Sequence, residues 1–377
     1  MKPAMRADAT IIGGGVIGLA VAMRLAREGL AVVLLERHPG FGRETSSRNS
    51  EVVHAGMYYP TGSLKARLCV AGNRSLYAWC EGHRVEARRI GKYIIATADD
   101  EVPALEAILA RGRENGVPAL RWAASGELAA AEPEVRAVAA LFSPDTGIID
   151  SHALMQSLAD AALARGAALA WGHEYLGAER AGDGYRIRFR EPGGAAGEVE
   201  STRVVNAAGL SADQVAAGLG IDVDARKYRL TYVKGSYFRL GGAWRGRLTH
   251  LIYPVPHAGL AGLGCHVTLD LAGDVRLGPD VEFLPDRTLD YSVPSARATR
   301  FAEAVRSYLP TVREADLLPG QSGIRARRIT GDAAPPDFVV AEEGAAGLPG
   351  WVNLIGIESP GLTCSLEIAD EVARLVA

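Results

Sequence analysis

Cysteine is scarce in this chain. Four residues (Cys69, Cys80, Cys265, Cys364) are scattered through 377, with no C-x-x-C pair and no nearby histidine at ligand spacing. That pattern excludes a zinc site built on cysteine pairs and a secreted disulfide scaffold, and it fits a reducing compartment. No metal site is expected. Long apolar runs are missing too: none reaches the ~18–20 residues that a membrane-crossing helix needs. The opening segment, Met1 to Asp8, leads at once into an apolar run studded with glycine, so no signal peptide is expected. These features predict a cytoplasmic protein, with peripheral contact to the inner membrane left open. Excess positive charge is absent as well. The formal net charge of −3 gives nucleic-acid binding no bulk electrostatic basis. There is no internal repeat and no low-complexity segment.

What the chain does have is glycine, 44 residues of it, well above the usual ~7%. Without a collagen period, that abundance points to tight turns and close approach of the backbone to a ligand. With 48% hydrophobic and 23% charged residues, the chain can bury a large core, and its length suits two or three domain-sized units. The pattern reads strand at 9–12, helix to about Glu28, and strand Ala31–Leu35 closing at Glu36. Residues 37–62 carry no periodicity and are rich in Gly, Ser, Thr and Arg, as a functional loop would be. Helices are predicted from Leu64, over 101–114, from Ser151 to Arg165, from Ser211 and over about 295–308; a strand is predicted over 90–97.

The middle of the chain is β-rich. Tyr185–Arg190 alternates cleanly into a glycine-rich hairpin turn at 193–197, and Val204-Val205 leads into Asn206-Ala207-Ala208-Gly209. Residues 226–280 read as an antiparallel sheet. Pro335-Pro336 breaks the chain before a last strand, Val352–Ile355, and a terminal helix. Strand–helix–strand units at both ends around this middle predict an α/β nucleotide-binding domain assembled from separated pieces.

Gly13-Gly14-Gly15-Val16-Ile17-Gly18 is a G-x-G-x-x-G between an apolar strand and a helix. The hexapeptide alone is weak; the strand before it, the helix after it and the acid that ends the next strand make it a dinucleotide site. Gly13 permits the turn, Gly15 lets the backbone approach a pyrophosphate, and Gly18 allows close helix–strand packing. The helix N-terminus offers N–H groups to the phosphates. Glu36 can accept hydrogen bonds from a ribose diol and would repel a 2′-phosphate, which disfavours NADP.

An NAD domain would continue at once with further strand–helix units; here the next such turn, at Asn206–Gly209, lies far downstream. That interruption, with the returning C-terminal segment, resembles the FAD-dependent oxidoreductases of the D-amino-acid oxidase and glycine oxidase superfamily. Within it, several segments resemble the L-2-hydroxyglutarate dehydrogenase branch: Val53–Pro60 with Gly62–Cys69, Gly91-Lys92, Gly264–Thr268, Gly278-Pro279, Ser322–Arg325, and Asn353–Thr363. The resemblance covers residues 9 to 375 and departs from the branch at Ser47, Arg48, Glu51 and Ala326. A carboxylate such as Glu51 beside the substrate would disfavour a dicarboxylate.

The resemblance implies a discontinuous Rossmann-like FAD-binding domain (1–85, 146–220 and 321–377) and an antiparallel-sheet substrate domain, α+β in character (86–145 and 221–320). It implies non-covalent FAD held by Gly13, Gly15, Val16, Ile17, Gly18, Glu36, Arg37, Thr45, Ser46, Ser47, Arg48, Asn49, Glu174, Ala207, Ala208, Gly209, Arg325, Gly361, Leu362 and Thr363. In that scheme the loop Thr45–Asn49 wraps the flavin. The helix starting near Gly361 aims N–H groups at the pyrimidine edge, where reduction places negative charge.

Oxidising a small 2-hydroxy acid needs a carboxylate anchor, a base for the hydroxyl proton and a Cα–H facing the flavin. Arg325 is the anchor candidate, with Arg327 its rival, because guanidinium binds carboxylate in a bidentate manner. His266 and His54 are the base candidates; Lys65, Tyr58, Tyr59 and Tyr253 are candidates to line the pocket. Electrons would pass to oxygen, a quinone or another flavoprotein. Two other readings share the architecture: an amine or amino-acid oxidase, and a flavin-binding protein without turnover.

Overall fold

A computed structural model describes residues 5–255, 265–331 and 336–377. Pro335 and the stretch 256–264 of the β-rich middle, Gly264 included, lie outside the described residues. The chain divides into two units: Met1–Ser47, Ser151–Tyr232 and Arg325–Ala377 form the first, Arg48–Asp150 and Val233–Ile324 the second.

The first unit is built on parallel strands. Met5–Ile12 runs parallel to Ala196–Asn206 on one side and to Val32–Glu36 on the other, and Ala168–Trp171 follows beyond Val32–Glu36. All five residues of Val32–Glu36 are buried, as a parallel strand covered on both faces requires. Leu348–Ile355 joins beside Val204–Asn206, again parallel, so the first and last thirds of the chain share one sheet. The helix Val16–Arg27 packs on this sheet against the helices Ser151–Leu163 and Gly361–Val376. The first strand starts at Met5, four residues before the predicted 9–12, because its exposed polar half pairs with Val199–Ser201 without an apolar signal of its own.

Where the parallel strands end, polar side chains replace apolar ones. The Asn206 amide donates to Asn353 Oδ1 (2.8 Å) and to the Ala212 carbonyl (2.8 Å). Asn353 Nδ2 donates to Glu343 (2.9 Å), which also accepts from the Tyr228 hydroxyl (2.8 Å) and Arg226 (2.8 Å). Glu343 is fully buried, so its charge is tolerable only because three donors satisfy it. Glu343→Leu orphans those donors together. It is expected to cost about 3 kcal/mol, read as a fall in denaturant midpoint with an unchanged slope.

The second unit is a nine-stranded sheet. Lys92–Ala96 pairs antiparallel with Ala139–Ser143, and Leu251–Pro254 with Val267–Leu269, which continues to Val275–Leu277 and Leu230–Leu240. Leu251–Pro254 runs parallel beside Lys92–Ala96. Period-two alternation sends Tyr93, Ile95, Ile252, Val267, Leu269, Val275 and Leu277 into one apolar cluster with Phe301, Val305 and Leu309. Register then fixes the opposite face: Lys92 lies beside Leu251, and Thr268 beside Arg276. Tyr253 and His266, each one residue from a core-facing neighbour, share that face.

The division differs from the expected boundaries. Residues 48–85, assigned from sequence to the FAD-binding part, belong to the second unit, as do 146–150 and 321–324; residues 221–232 belong to the first. Pairing explains the largest shift, because Val52–Val53 forms a small sheet with Gly147–Ile149 and Ala87–Arg88. The predicted helix over 295–308 is shorter: a 3₁₀ turn at Ser295–Arg297, then Ala298–Val305.

Candidate active site

In the first unit the glycine turn is set by its neighbours. Gly13 has φ +108°, and a Cβ on it would sit 2.5 Å from the Ala207 carbonyl oxygen; its N–H donates to the Leu35 carbonyl (2.8 Å). A Cβ on Gly15 would lie 2.9 Å from Ser46 Oγ, and one on Gly18 would collide with the Gly13 carbonyl. The helix Val16–Arg27 has no side-chain cap at Gly15 and no acidic residue in its first turn, although the Val16 N–H donates to Ser46 Oγ (3.0 Å). The Glu36 carboxylate accepts from the N–H groups of Gly14 (2.7 Å) and His38 (2.8 Å), so it also shapes the turn. A carboxylate has further lone pairs for a diol.

Ala207 and Ala208 follow the adjoining strand end, where the Ala207 N–H donates to the Ile12 carbonyl (2.9 Å), and Gly209 turns at φ +54°. The terminal helix Gly361–Val376 likewise has no side-chain cap and no acid in its first turn. Gly361 and Thr363 are buried at its start. Two helix N-termini without a cap from their own N-cap side chain, and a turn that only glycine can make, suit a pyrophosphate-containing cofactor.

Other predicted cofactor residues have partners of their own. Arg37 and His38 engage Glu44, and Glu174 pairs with Arg190 (2.8 Å) on the neighbouring strand. Thr45–Ser47 forms a 3₁₀ turn within the first unit, whereas Arg48 and Asn49 belong to the second. Arg48 lies over the Tyr291 ring at 4.0 Å, and the Asn49 side chain accepts the Glu51 N–H (2.8 Å). The sequence reading missed Trp171, whose ring lies so near Gly14 that a Cβ there would meet it at 2.9 Å.

Arg325 and its rival Arg327 differ. Arg327 is held by the buried carboxylate of Glu358 (3.1 Å). Arg325 is half-buried and has no ion-pair partner among the described residues.

The second unit gathers the predicted polar groups on one sheet face and the loop that follows Val53. Asn73 holds that loop by donating to the His54 carbonyl (3.0 Å), and Cys69 donates to the same oxygen (3.6 Å). Asn115 donates to the Gly56 and Tyr59 carbonyls (3.0 and 2.9 Å). Gly56 is required by φ +101° and by Val70, 2.7 Å from where a Cβ would stand. The His266 ring stacks on Tyr253, centroids 3.8 Å apart and planes within 4°. Lys92 Nζ lies 4.6 Å from the ring centres of both Tyr58 and Tyr253. Lys65 is buried in the first turn of the helix Leu64–His83.

Electrostatics follow from this enclosure. Burial first, then the charges of Lys92 and His266, push the His54 imidazolium down to about 3, so His54 is neutral through the physiological range. Burial lowers the Lys92 ammonium to about 7 and raises the Tyr58 hydroxyl well above its usual value. Glu51, where the chain departs from the branch, faces Arg276 (3.3 Å), which Asp270 also holds (3.1 Å). Glu51 and Asp270 share that one guanidinium. Among the described residues no cluster of three metal-ligand side chains occurs, and no helix is long and apolar enough to cross a membrane.

The family model "FAD dependent oxidoreductase" matches residues 8–375. The mitochondrial L-2-hydroxyglutarate dehydrogenase of Arabidopsis thaliana is 39% identical over 98% of this chain and 83% of its own. That of Escherichia coli K12 is 28% identical over 98% and 93%. Among solved structures, the dithionite-reduced L-α-glycerophosphate oxidase of Mycoplasma pneumoniae with FAD bound superposes with a TM-score of 0.86 at 24% identity, covering 98% of this chain and 94% of that one. Glycine oxidase from Geobacillus kaustophilus gives 0.80 at 23%, covering 99% and 95%. A glycine turn shaped for a dinucleotide and a family match across both units agree, and the chain belongs to the FAD dependent oxidoreductase family.

Proposed function

We propose that this enzyme oxidises a small 2-hydroxy acid, of which L-2-hydroxyglutarate is the leading candidate. The full-length similarity to L-2-hydroxyglutarate dehydrogenases, 39% identical in one case, carries the substrate class. FAD, when bound, would supply the acceptor for the hydride of the substrate Cα–H. Gly13, Gly15, Val16, Ile17, Gly18 and Glu36 are the residues that would hold its dinucleotide portion, with Ala207–Gly209 and Gly361–Thr363 alongside.

Arg325 anchors the substrate carboxylate; that it has no ion-pair partner among the described residues supports that role, since its guanidinium is then open to a ligand. His266 takes the hydroxyl proton, its ring oriented by the stack on Tyr253. His54, kept neutral chiefly by its burial, is the second candidate for that proton. The ion pair of Glu51 with Arg276, which Asp270 shares, lessens the electrostatic objection to a dicarboxylate.

Anaerobic mixing of the flavoprotein with L-2-hydroxyglutarate is expected to bleach the flavin band, and shorter 2-hydroxy acids to do so more slowly. Bleaching by glycine, sarcosine or D-amino acids, with none by any hydroxy acid, would make the enzyme an amine oxidase. Reoxidation by oxygen, a quinone or a second flavoprotein then identifies the electron acceptor.

A further inference from the structure

Lys92 opens the strand Lys92–Ala96 and is fully buried. Among the described residues its ammonium has no hydrogen-bond acceptor. An amine in that position is costly to keep charged, and the two tyrosine faces at 4.6 Å offset only part of the cost. The groups around it are His54, Tyr58, Cys69 and Tyr253, and none is a carboxylate. Ser143 is its partner across the strand pair. On the same sheet face Thr268, also fully buried, carries a hydroxyl without a partner. A buried cation with no carboxylate among the described groups around it, beside both candidate bases, is short of one anion.

We propose that Lys92 is a substrate-binding residue whose ammonium forms the countercharge for a carboxylate of the substrate, held between Tyr58 and Tyr253. This rests on the 2-hydroxy acid reading and adds a recognition residue to it. Before a ligand arrives, burial lowers the ammonium to about 7; an incoming carboxylate favours the charged form. Carboxylate binding at pH 8 therefore takes up a proton. Affinity falls about tenfold per pH unit above that value, as linkage requires. His54 and Tyr58 stay neutral across this window, one titrating at about 3 and the other well above 10.

The probe is glutarate, a dicarboxylate with no hydroxyl to oxidise, titrated calorimetrically into the FAD-loaded enzyme in buffers of different ionisation enthalpy. Wild type is expected to bind with uptake of close to one proton at pH 8. Lys92→Met and Lys92→Gln are expected to bind on the order of 10²-fold more weakly, with that uptake abolished. Both variants should melt no lower than wild type, because each removes a buried charge that lacks an anion. Unchanged glutarate affinity in a folded variant, or an unchanged proton count, overturns the proposal. So does a loss of melting temperature with affinity intact, which would make Lys92 a packing residue. Failure of wild type to oxidise any 2-hydroxy acid would refute the functional reading, a result distinct from these binding outcomes.

Discussion

Gly13→Ala is expected to yield a protein that purifies without flavin colour and melts about 5–10 °C below wild type. Two effects add. A Cβ at φ +108° is strained in itself, and at 2.5 Å from the Ala207 carbonyl oxygen it forces two backbone segments apart. Those segments are the turn between Ile12 and the first helix and the turn after Asn206, tied by the hydrogen bond from the Ala207 N–H to the Ile12 carbonyl. Together the penalties come to roughly 3 kcal/mol, concentrated where the dinucleotide would lie. Gly29→Ala is the control. Gly29 has φ +87° but nothing within 4 Å of a Cβ, so it should cost only about 1 kcal/mol and retain the flavin. An absorption spectrum and a thermal melt of the two proteins check the expectation; equal behaviour would mean that the Ala207 contact is unimportant.

Arg325→Met is expected to lower kcat/KM by about 10²–10³-fold, mainly through KM, while leaving flavin content and melting temperature near wild type. Among the described residues Arg325 has no ion-pair partner to abandon. Its neighbour in the same strand should behave in the opposite way. Arg327→Met strips the guanidinium from Glu358, whose side chain is almost wholly buried, at a cost of about 2 kcal/mol. Steady-state kinetics with parallel melts separate the two arginines. If Arg325→Met loses stability and flavin while KM holds, the anchor lies elsewhere.

Much of the cofactor cradle was legible because its demands are local. A strand, a turn that only glycine can make, a helix and a closing acid follow one another within residues 9–36. The terminal loop and the second glycine turn were legible through the family resemblance, and their strands do share one sheet. Glu343 was not legible. It lies in an unremarkable Glu-Glu pair, and only the fold brings Asn353, Tyr228 and Arg226 to it. Lys92 was visible as part of a motif, a lysine opening an otherwise apolar strand, yet nothing in the chain says whether such a lysine is solvated or enclosed. The ion pair of Glu51 was not legible for the same reason, since its partner Arg276 is 225 residues away.

The sequence by itself determined the α/β cofactor unit, the dinucleotide turn and the family, because periodicity and glycine placement act through neighbours in the chain. Tertiary structure alone decided which charges are satisfied. Arg327 has its acid and, among the described residues, Arg325 has none; Glu51 shares Arg276 with Asp270; Lys92 lies between two tyrosine rings. A charge is governed by what stands within a few ångströms of it and by how much water is excluded. In a chain of this length those neighbours come from segments far apart in sequence.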